Sequence, residues 1–365
     1  MKEIRTIISQ YNRLKASSKK MALATVIYVE GSSYRREGAR MLVVEDGTWV
    51  GGISGGCLEG DALRKAKNAI IKGNSSIVRY DTREEDAFQI GVGLGCNGVI
   101  DVLITPLTDE MNVVEELEKN ILTREASILI TFIDEYESIQ KGKMVTFEGS
   151  NSLHTIDNQS FIGKIEQEVQ SVKKNKKSKI VNINETSSSF RIFIEFLPPE
   201  VRLILFGGNY DIYPLVDIGN DVGWEISVVC NPQKVDKSLF TKASVISNKN
   251  PENLKWDQYT AAILMAHDYK TDMKNLNLLL GTEVGYIGML GPQVRSQKIF
   301  DEMKENGIDI SDDDHAKIHA PIGLDTGATS PEEIAISIVA EIRTFYSGRQ
   351  GGFLKNRPDT IHSRV

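Results

Sequence analysis

Residues 51–60, GGISGGCLEG, place one cysteine and one glutamate among five glycines. Glycine lacks a Cβ and adopts positive φ easily, so such a loop can bring backbone amides close to an anion. Cys57 and Glu59 would then carry the chemistry, while Gly55 and Gly56 let the backbone approach the ligand. A tight turn before a helix, with Cys57 as a small buried residue, explains the same pattern, and both interpretations stay open here.

A second polar loop, residues 31–40 (GSSYRREGAR), contains three arginines. Guanidinium groups match the geometry of phosphate oxygens, so Arg35 and Arg40 are candidate anion ligands. An ordinary exposed surface has the same composition. A third loop, residues 91–98 (GVGLGCNG), holds Cys96. If the flanking strands are neighbours, the three loops form one pocket that contains Cys57 and Cys96.

The patterns around these loops predict the elements that hold them. Residues 2–16 have the apolar spacing of a helix, residues 21–29 form an apolar strand, and Asp46-Gly47 is typical of a hairpin turn. We expect a helix over 61–72 and a strand over 99–104. Residues 108–199 carry weaker patterns, and we expect an α+β layer there that continues the first domain. The strands predicted in that layer are 127–133, 144–147, 179–182 and 190–196.

Pro198-Pro199 is the predicted domain boundary, because consecutive prolines stiffen a linker and interrupt regular structure. The sequence thus predicts an α/β protein with an N-terminal α+β domain (1–197), a Rossmann-like parallel-sheet domain (198–346) and a C-terminal tail (347–365).

The Rossmann-like prediction depends on the start of the second domain. An apolar strand over 201–206 leads into a glycine turn, residues 207–211 (GGNYD), then a helix and a strand over 225–229. Such a turn normally sets a pyrophosphate on a helix N-terminus, which makes Gly207, Gly208 and Asp211 candidate ligand contacts. However, Asn209 occupies the second glycine position of GxGxxG, and Cys230 follows the second strand where an acidic residue would hold a ribose. The pattern supports the fold better than it supports NAD(P) binding.

Later strands of this domain end in polar residues. Residues 261–266 form an apolar strand that runs into His267, and ligands of open α/β sheets bind at the carboxyl ends of strands. His267 is therefore a candidate ligand contact, with a hydrogen-bonded loop histidine as the alternative. Ser330, Pro331 and Glu333 give a clear helix start, and Ile338 and its neighbours give that helix a buried side.

Composition excludes several classes of protein. Hydrophobic residues make up 41% and charged residues 25% of the chain, as in soluble globular proteins. A net charge of −7 argues against a non-specific nucleic-acid binder. No apolar run is long enough for a membrane span, and three scattered cysteines form no CxxC pair, so we expect a cytoplasmic protein with free thiols.

Several long segments resemble one protein family in order along nearly the whole chain. They are GSSYRREGARM, ISGGCLEGD, GCNGVIDVLI, LILFGGNYDIYPL, YIGMLGPQVR and IHAPIGLDTGATSPEEIAISIVAEI. These segments resemble the XdhC/CoxI family of xanthine dehydrogenase accessory proteins. The resemblance implies a protein that binds molybdenum cofactor as cargo, protects it during sulfuration by a cysteine desulfurase and delivers it to an apo xanthine dehydrogenase-type enzyme.

The resemblance also assigns roles to residues. Thiolates are soft ligands, so Cys57 and then Cys96 are the candidates for contact with molybdenum or its sulfur. Asp325, in the last of the similar segments, is a further cofactor-binding candidate. The family's Rossmann turn usually reads GAGHD, and its difference from GGNYD weakens the expectation of ordinary NAD binding. The resemblance also implies a homodimer, because accessory proteins of this type often hold a large ligand between surfaces. A nicotinamide-dependent oxidoreductase and a scaffold that binds only proteins are the alternatives.

Overall fold

The computed structural model describes residues 1–81, 83, 98–185, 189–249 and 254–357. The chain divides into two compact units, of which the first comprises Met1–Pro199 and the second Glu200–Asn356. No helix in the described ranges is long and apolar enough to cross a membrane. Each unit has its own sheets and cores.

The first unit begins with a five-stranded antiparallel sheet between two helices. The strand order is β3-β2-β1-β5-β4. Its elements are α1 (Lys2–Lys15), β1 (Met21–Gly31), β2 (Arg40–Val44), β3 (Trp49–Gly51), α2 (Glu59–Lys72), β4 (Ser76–Asp81) and β5 (Gly98–Pro106). Small residues on one side of α2, such as Ala62 and Ala66, are fully buried in the same core as Ala22 and Ala24 of β1. Ile7 of α1 is buried in a separate core with Leu23 and Leu42.

The strand registers bring the loops at residues 31–40 and 51–60 to the same end of this sheet's strands. Gly31 at the end of β1 pairs with Gly98 at the start of β5, and Met41 near the start of β2 pairs with Gly51 at the end of β3. The loops at residues 31–40 and 51–60 therefore leave the sheet at the same end of its strands. Cys96 lies outside the described residues, but Gly98, two positions later, lies at this end of the strands as well.

The second half of this unit contains the strands and helix of an α+β layer, and its strands form a sheet of their own. This antiparallel sheet has the order β7-β6-β9-β8 and is covered by a 17-residue helix. Asn158 caps that helix by accepting the N–H of Phe161 at 3.0 Å. The elements are α3 (Val113–Ile121), β6 (Ser127–Phe132), β7 (Met144–Thr146), α4 (Gln159–Asn175), β8 (Lys179–Asn184) and β9 (Ser189–Leu197).

The second unit is a six-stranded parallel sheet with the order β12-β11-β10-β13-β14-β15. Counted within the unit, this is 3-2-1-4-5-6, the Rossmann order, so the predicted fold class is confirmed. The strands are β10 (Arg202–Phe206), β11 (Glu225–Cys230), β12 (Ser244–Ser247), β13 (Thr260–Leu264), β14 (Tyr286–Met289) and β15 (Ile318–His319). The helices are α5 (Ile212–Asp221), α6 (Leu239–Lys242), α7 (Tyr269–Leu279), α8 (Gln293–Glu305), α9 (Asp312–Lys317) and α10 (Pro331–Tyr346). The order reverses between β10 and β13, so a ligand crevice is expected at their carboxyl ends.

The start of α10 is built as its sequence predicts. The Ser330 hydroxyl accepts the N–H of Glu333, and the Glu333 carboxylate accepts the N–H of Ser330 at 3.0 Å, while Pro331 begins the helix. Ile338 and Ile342 are buried on its inner side. This reciprocal cap satisfies two amides that would otherwise lack partners.

Candidate functional site

Ser54 organises the backbone of residues 51–60, which we name the cysteine loop. Its hydroxyl oxygen accepts the N–H groups of Gly56, Cys57 and Leu58, each at 3.1 Å. These are amides that the sequence suggested for an anionic ligand, and the structure shows them already bonded. The oxygen of Ser54 thus bonds three amides of the loop that precedes α2, and these amides do not face an external anion.

Glu59 holds Ser54 in that position. Its buried carboxylate accepts the Ser54 N–H at 2.8 Å, the Ile53 N–H at 3.2 Å and the Ser54 hydroxyl. Burial has the largest single effect and raises the pKa of Glu59, but the hydrogen bonds from Ser54 and the backbone together outweigh it and hold the pKa below its usual range. Glu59 was expected to face a ligand, whereas the structure uses its carboxylate to fix the loop.

The cysteine loop contacts residues 31–40, which we name the arginine loop. A Cβ placed on Gly55 would lie 3.4 Å from Cγ of Tyr34, so the tyrosine ring rests directly on the glycine. Tyr34 as a whole residue is 68% exposed. Gly56 has a φ of +111° and open space where a Cβ would be, and the next residue, Cys57, is half-buried with a free thiol. Two of the three predicted loops therefore meet at Gly55 and Tyr34, and the side chain of Cys57, two residues after Gly55, packs against the core beneath α2.

The two arginines predicted to bind anions are occupied by carboxylates of the same unit. Arg35 contacts both carboxylate oxygens of Glu3, at 2.8 and 2.7 Å. Arg40 has 0% of its surface exposed, and its guanidinium contacts both oxygens of Glu195, one of them at 3.0 Å. Arg40 is therefore an interior residue, and Glu195 of β9 neutralises its buried charge. Its guanidinium does not face a ligand.

Arg36 is the remaining arginine of the loop, and its sequence context alone did not distinguish it. Within the described part of the chain it forms no ion pair, and its guanidinium donates only a 3.5 Å hydrogen bond to the Gly31 carbonyl. It is half-buried and follows Tyr34 by two residues. Arg36 is thus more accessible to an anion than Arg35 or Arg40, which are paired with carboxylates. The sequence could not show which of the three arginines is available to a ligand, because that depends on which of them pairs with a carboxylate in the fold.

Cys96, the second predicted thiol ligand, lies outside the described residues. Across the residues that are described, no group of three or more His, Cys, Asp or Glu side chains is placed to hold a metal ion. The predicted convergence of Cys57 with Cys96 therefore stays a prediction. Asp325 is exposed at the surface of the second unit.

A second candidate site is a cleft of about 650 Å³ at the carboxyl ends of the parallel strands. Gly207 and Gly208 form part of its wall. A Cβ on Gly207 would lie 2.4 Å from the Met265 carbonyl oxygen, and one on Gly208 would lie 3.1 Å from Cβ of Cys230. The turn passes so close to β13 and β11 that a side chain at Gly207 would collide with backbone.

Asp211 and His267, both predicted ligand contacts, meet beside this turn. Oδ2 of Asp211 lies 2.5 Å from Nε2 of His267. Asp211 occupies the N-cap position of α5, yet its side chain makes no capping hydrogen bond. His267 has a φ of +58°, a strained conformation for a residue other than glycine. The structure therefore brings together two candidates 56 residues apart in sequence, at the point where the strand order reverses.

Comparison with known proteins agrees with both halves of this architecture. Residues 14–81 match the XdhC and CoxI family, and residues 203–342 match the XdhC Rossmann domain. A protein of Bacillus subtilis named as a probable xanthine dehydrogenase component is 30% identical over 329 residues, which cover 88% of this chain and 91% of that protein. The chain belongs to the XdhC and CoxI family.

Other relatives extend across the whole chain. The molybdenum cofactor insertion chaperone PaoD of Escherichia coli is 23% identical over 93% of this chain and 87% of its own length. A crystal structure described as a xanthine dehydrogenase from Bacillus halodurans is 27% identical, covers 98% of each chain and superposes with a TM-score of 0.74. Both units of this chain therefore have counterparts in the family.

Proposed function

We propose that this protein binds molybdenum cofactor as cargo, supports its sulfuration by a cysteine desulfurase and delivers it to a xanthine dehydrogenase-type molybdenum hydroxylase in the cytoplasm. The names of two relatives support this proposal, since one is a probable xanthine dehydrogenase component and the other a molybdenum cofactor insertion chaperone. The cofactor is carried and passed on, so the protein acts as a chaperone for it.

The observation that carries the proposal is the contact between the arginine and cysteine loops. Tyr34 offers an exposed aromatic face on which the flat pterin can stack, and Arg36 offers a cation for its phosphate. Cys57 follows Gly55, on which Tyr34 rests, by two residues, and its thiolate is a soft ligand for molybdenum or sulfur. Because Ser54 and Glu59 fix the loop beforehand, binding does not have to order it.

Replacing Cys57 with alanine is expected to reduce retention of molybdenum cofactor about tenfold or more, because a metal–sulfur contact is lost. The purified protein is mixed with the cofactor anaerobically, free ligand is removed by gel filtration, and the bound pterin is quantified by fluorescence after oxidation. Since the side chain is half-buried at the surface of its core, the variant should unfold near the wild-type temperature.

The buried thiol of the second unit supplies the matched control. Cys230→Ala removes a thiol whose pKa is raised by burial and which lies in the other unit, so it should retain the cofactor like the wild type. Equal retention by wild type and Cys57→Ala would refute the role of this thiol. No retention by the wild type itself would refute the proposed function.

A further inference from the structure

The cleft of the second unit is lined by apolar residues and by cationic and amide side chains. Phe206, Val229, Ala266 and Leu278 supply apolar surface, which suits a flat heteroaromatic ring. The polar lining consists of two lysines, four asparagines and one threonine, and no carboxylate belongs to the lining that the structure describes. A cleft with this composition favours a ligand that carries negative charge.

The two lysines of the lining are free to bind that charge. Lys234 follows β11, Lys274 lies on α7, and both are exposed. In the described ranges of the chain, neither lysine forms an ion pair with Asp or Glu, whereas the nearby Lys242 is paired with Asp217 at 2.7 Å. Two unpaired ammonium groups in the lining give the cleft a net attraction for phosphate.

The end of β11 decides which nucleotide fits. In Rossmann units this position contacts the adenosine ribose, where a carboxylate binds the 2′-hydroxyl of NAD and a basic group accommodates the 2′-phosphate of NADP. Here Cys230 is buried and its pKa is raised by burial, so it offers no charge. The Asn231 side-chain oxygen accepts the Gln233 N–H at 3.0 Å, which leaves its NH₂ group to face a ligand.

The same turn places a cation beside these donors. The N–H of Lys234 donates to the Asn231 carbonyl at 3.0 Å, which closes the turn with Lys234 on the cleft wall. A ribose diol finds no carboxylate acceptor in the described lining, whereas a phosphate ester meets an amide donor and an ammonium group.

We infer that this cleft is a nucleotide site that selects a phosphate ester at the end of β11, so that it binds NADP(H) in preference to NAD(H). Asn209, at the second glycine position of the turn, lines the cleft and can donate its amide to the pyrophosphate in place of a closer backbone approach. The inference concerns the second unit alone and does not depend on molybdenum cofactor binding.

Isothermal titration with two matched pairs of probes tests the inference. The full chain should bind NADP⁺ about tenfold or more tightly than NAD⁺, as one charge-assisted contact provides. The 2′,5′-ADP and 5′-AMP pair isolates the same phosphate on the adenosine half and should show the same preference. If 2′,5′-ADP binds more tightly than 5′-AMP but NADP⁺ does not bind, the site is specific for a smaller phosphorylated nucleotide. The dinucleotide part of the inference is then overturned.

Variants at two exposed lysines separate the specific contact from general charge. Lys234→Ala should bring NADP⁺ to within about twofold of NAD⁺, because the 2′-phosphate loses its partner. Lys237→Ala removes an exposed lysine three residues later that is not in the cleft lining, and it should keep the preference. Equal affinity for NAD⁺ and NADP⁺ in the wild type, no saturable binding of any probe, or an unchanged preference in Lys234→Ala would each overturn the inference.

Discussion

Replacing Glu195 with alanine is expected to lower the free energy of unfolding of the first unit by about 3–5 kcal/mol, because it leaves the fully buried charge of Arg40 without its partner. The Arg40 guanidinium donates to both Glu195 oxygens and to the Gly38 carbonyl at 2.8 Å. Urea denaturation followed by circular dichroism measures the loss.

Two further variants show whether the effect is that of a stranded charge. Replacing both partners, Arg40→Met with Glu195→Leu, should recover most of the loss, since neither polar group is then left unpaired. Removing an exposed pair of the same unit, by Lys19→Ala beside Asp46, should leave the unfolding curve nearly unchanged. If Glu195→Ala destabilises the protein no more than Lys19→Ala does, the buried charge of Arg40 does not depend on Glu195.

Arg40 also connects this buried pair to the candidate site. Its carbonyl oxygen accepts the Gly52 N–H at 2.9 Å, and a Cβ on Gly51 would lie 2.4 Å from that oxygen. The first two residues of the cysteine loop are therefore packed on the backbone of Arg40. Glu195→Ala should accordingly weaken cofactor retention as well as stability, although Glu195 does not lie in either loop.

The elements that the sequence predicted well are those with local signals. The Ser330 cap of α10 and the apolar strand of residues 201–206 each depend on residues within a few positions of one another. The glycine turn after β10 was likewise predicted from neighbouring residues, since Gly207 and Gly208 directly follow the apolar strand. The burial of Arg40 has no such signal, because its partner is 155 residues away and arginine alone predicts a surface.

The sequence contained weak signals for two other features that were not predicted, the helix α4 and the hydrogen bonds of Ser54. Phe161, Ile165, Val169 and Val172 have helical spacing and are buried in α4, yet the many polar residues between them concealed a 17-residue helix. In the cysteine loop, glycine content predicted free amides, whereas Ser54 satisfies three of them. A serine hydroxyl can accept backbone amides a few residues further along its own loop, and the glycine content gave no sign of it.

Replacing Glu59 with alanine is expected to lower the free energy of unfolding by about 3 kcal/mol, because two amides and one hydroxyl lose their buried acceptor. Ser54 then loses its fixed orientation, and with it the hydrogen bonds to the Gly56, Cys57 and Leu58 amides weaken. Retention of molybdenum cofactor should fall with stability in this variant, since the cysteine loop is no longer ordered before binding. Urea denaturation and the anaerobic retention assay measure the two effects on the same preparation.

The pH dependence of Glu59→Gln tests whether the ionised carboxylate is what matters. Because folding holds the pKa of Glu59 below the ordinary glutamate value of 4.5, its contribution is fully present above that pH and is lost as the pH falls through the folded-state pKa. Wild type should therefore exceed Glu59→Gln in stability by a constant amount near neutral pH, and the difference should shrink below about pH 4.5. A difference that stays the same from pH 7 to pH 3 would mean that the shape of Glu59, and not its charge, orders the loop that presents Cys57.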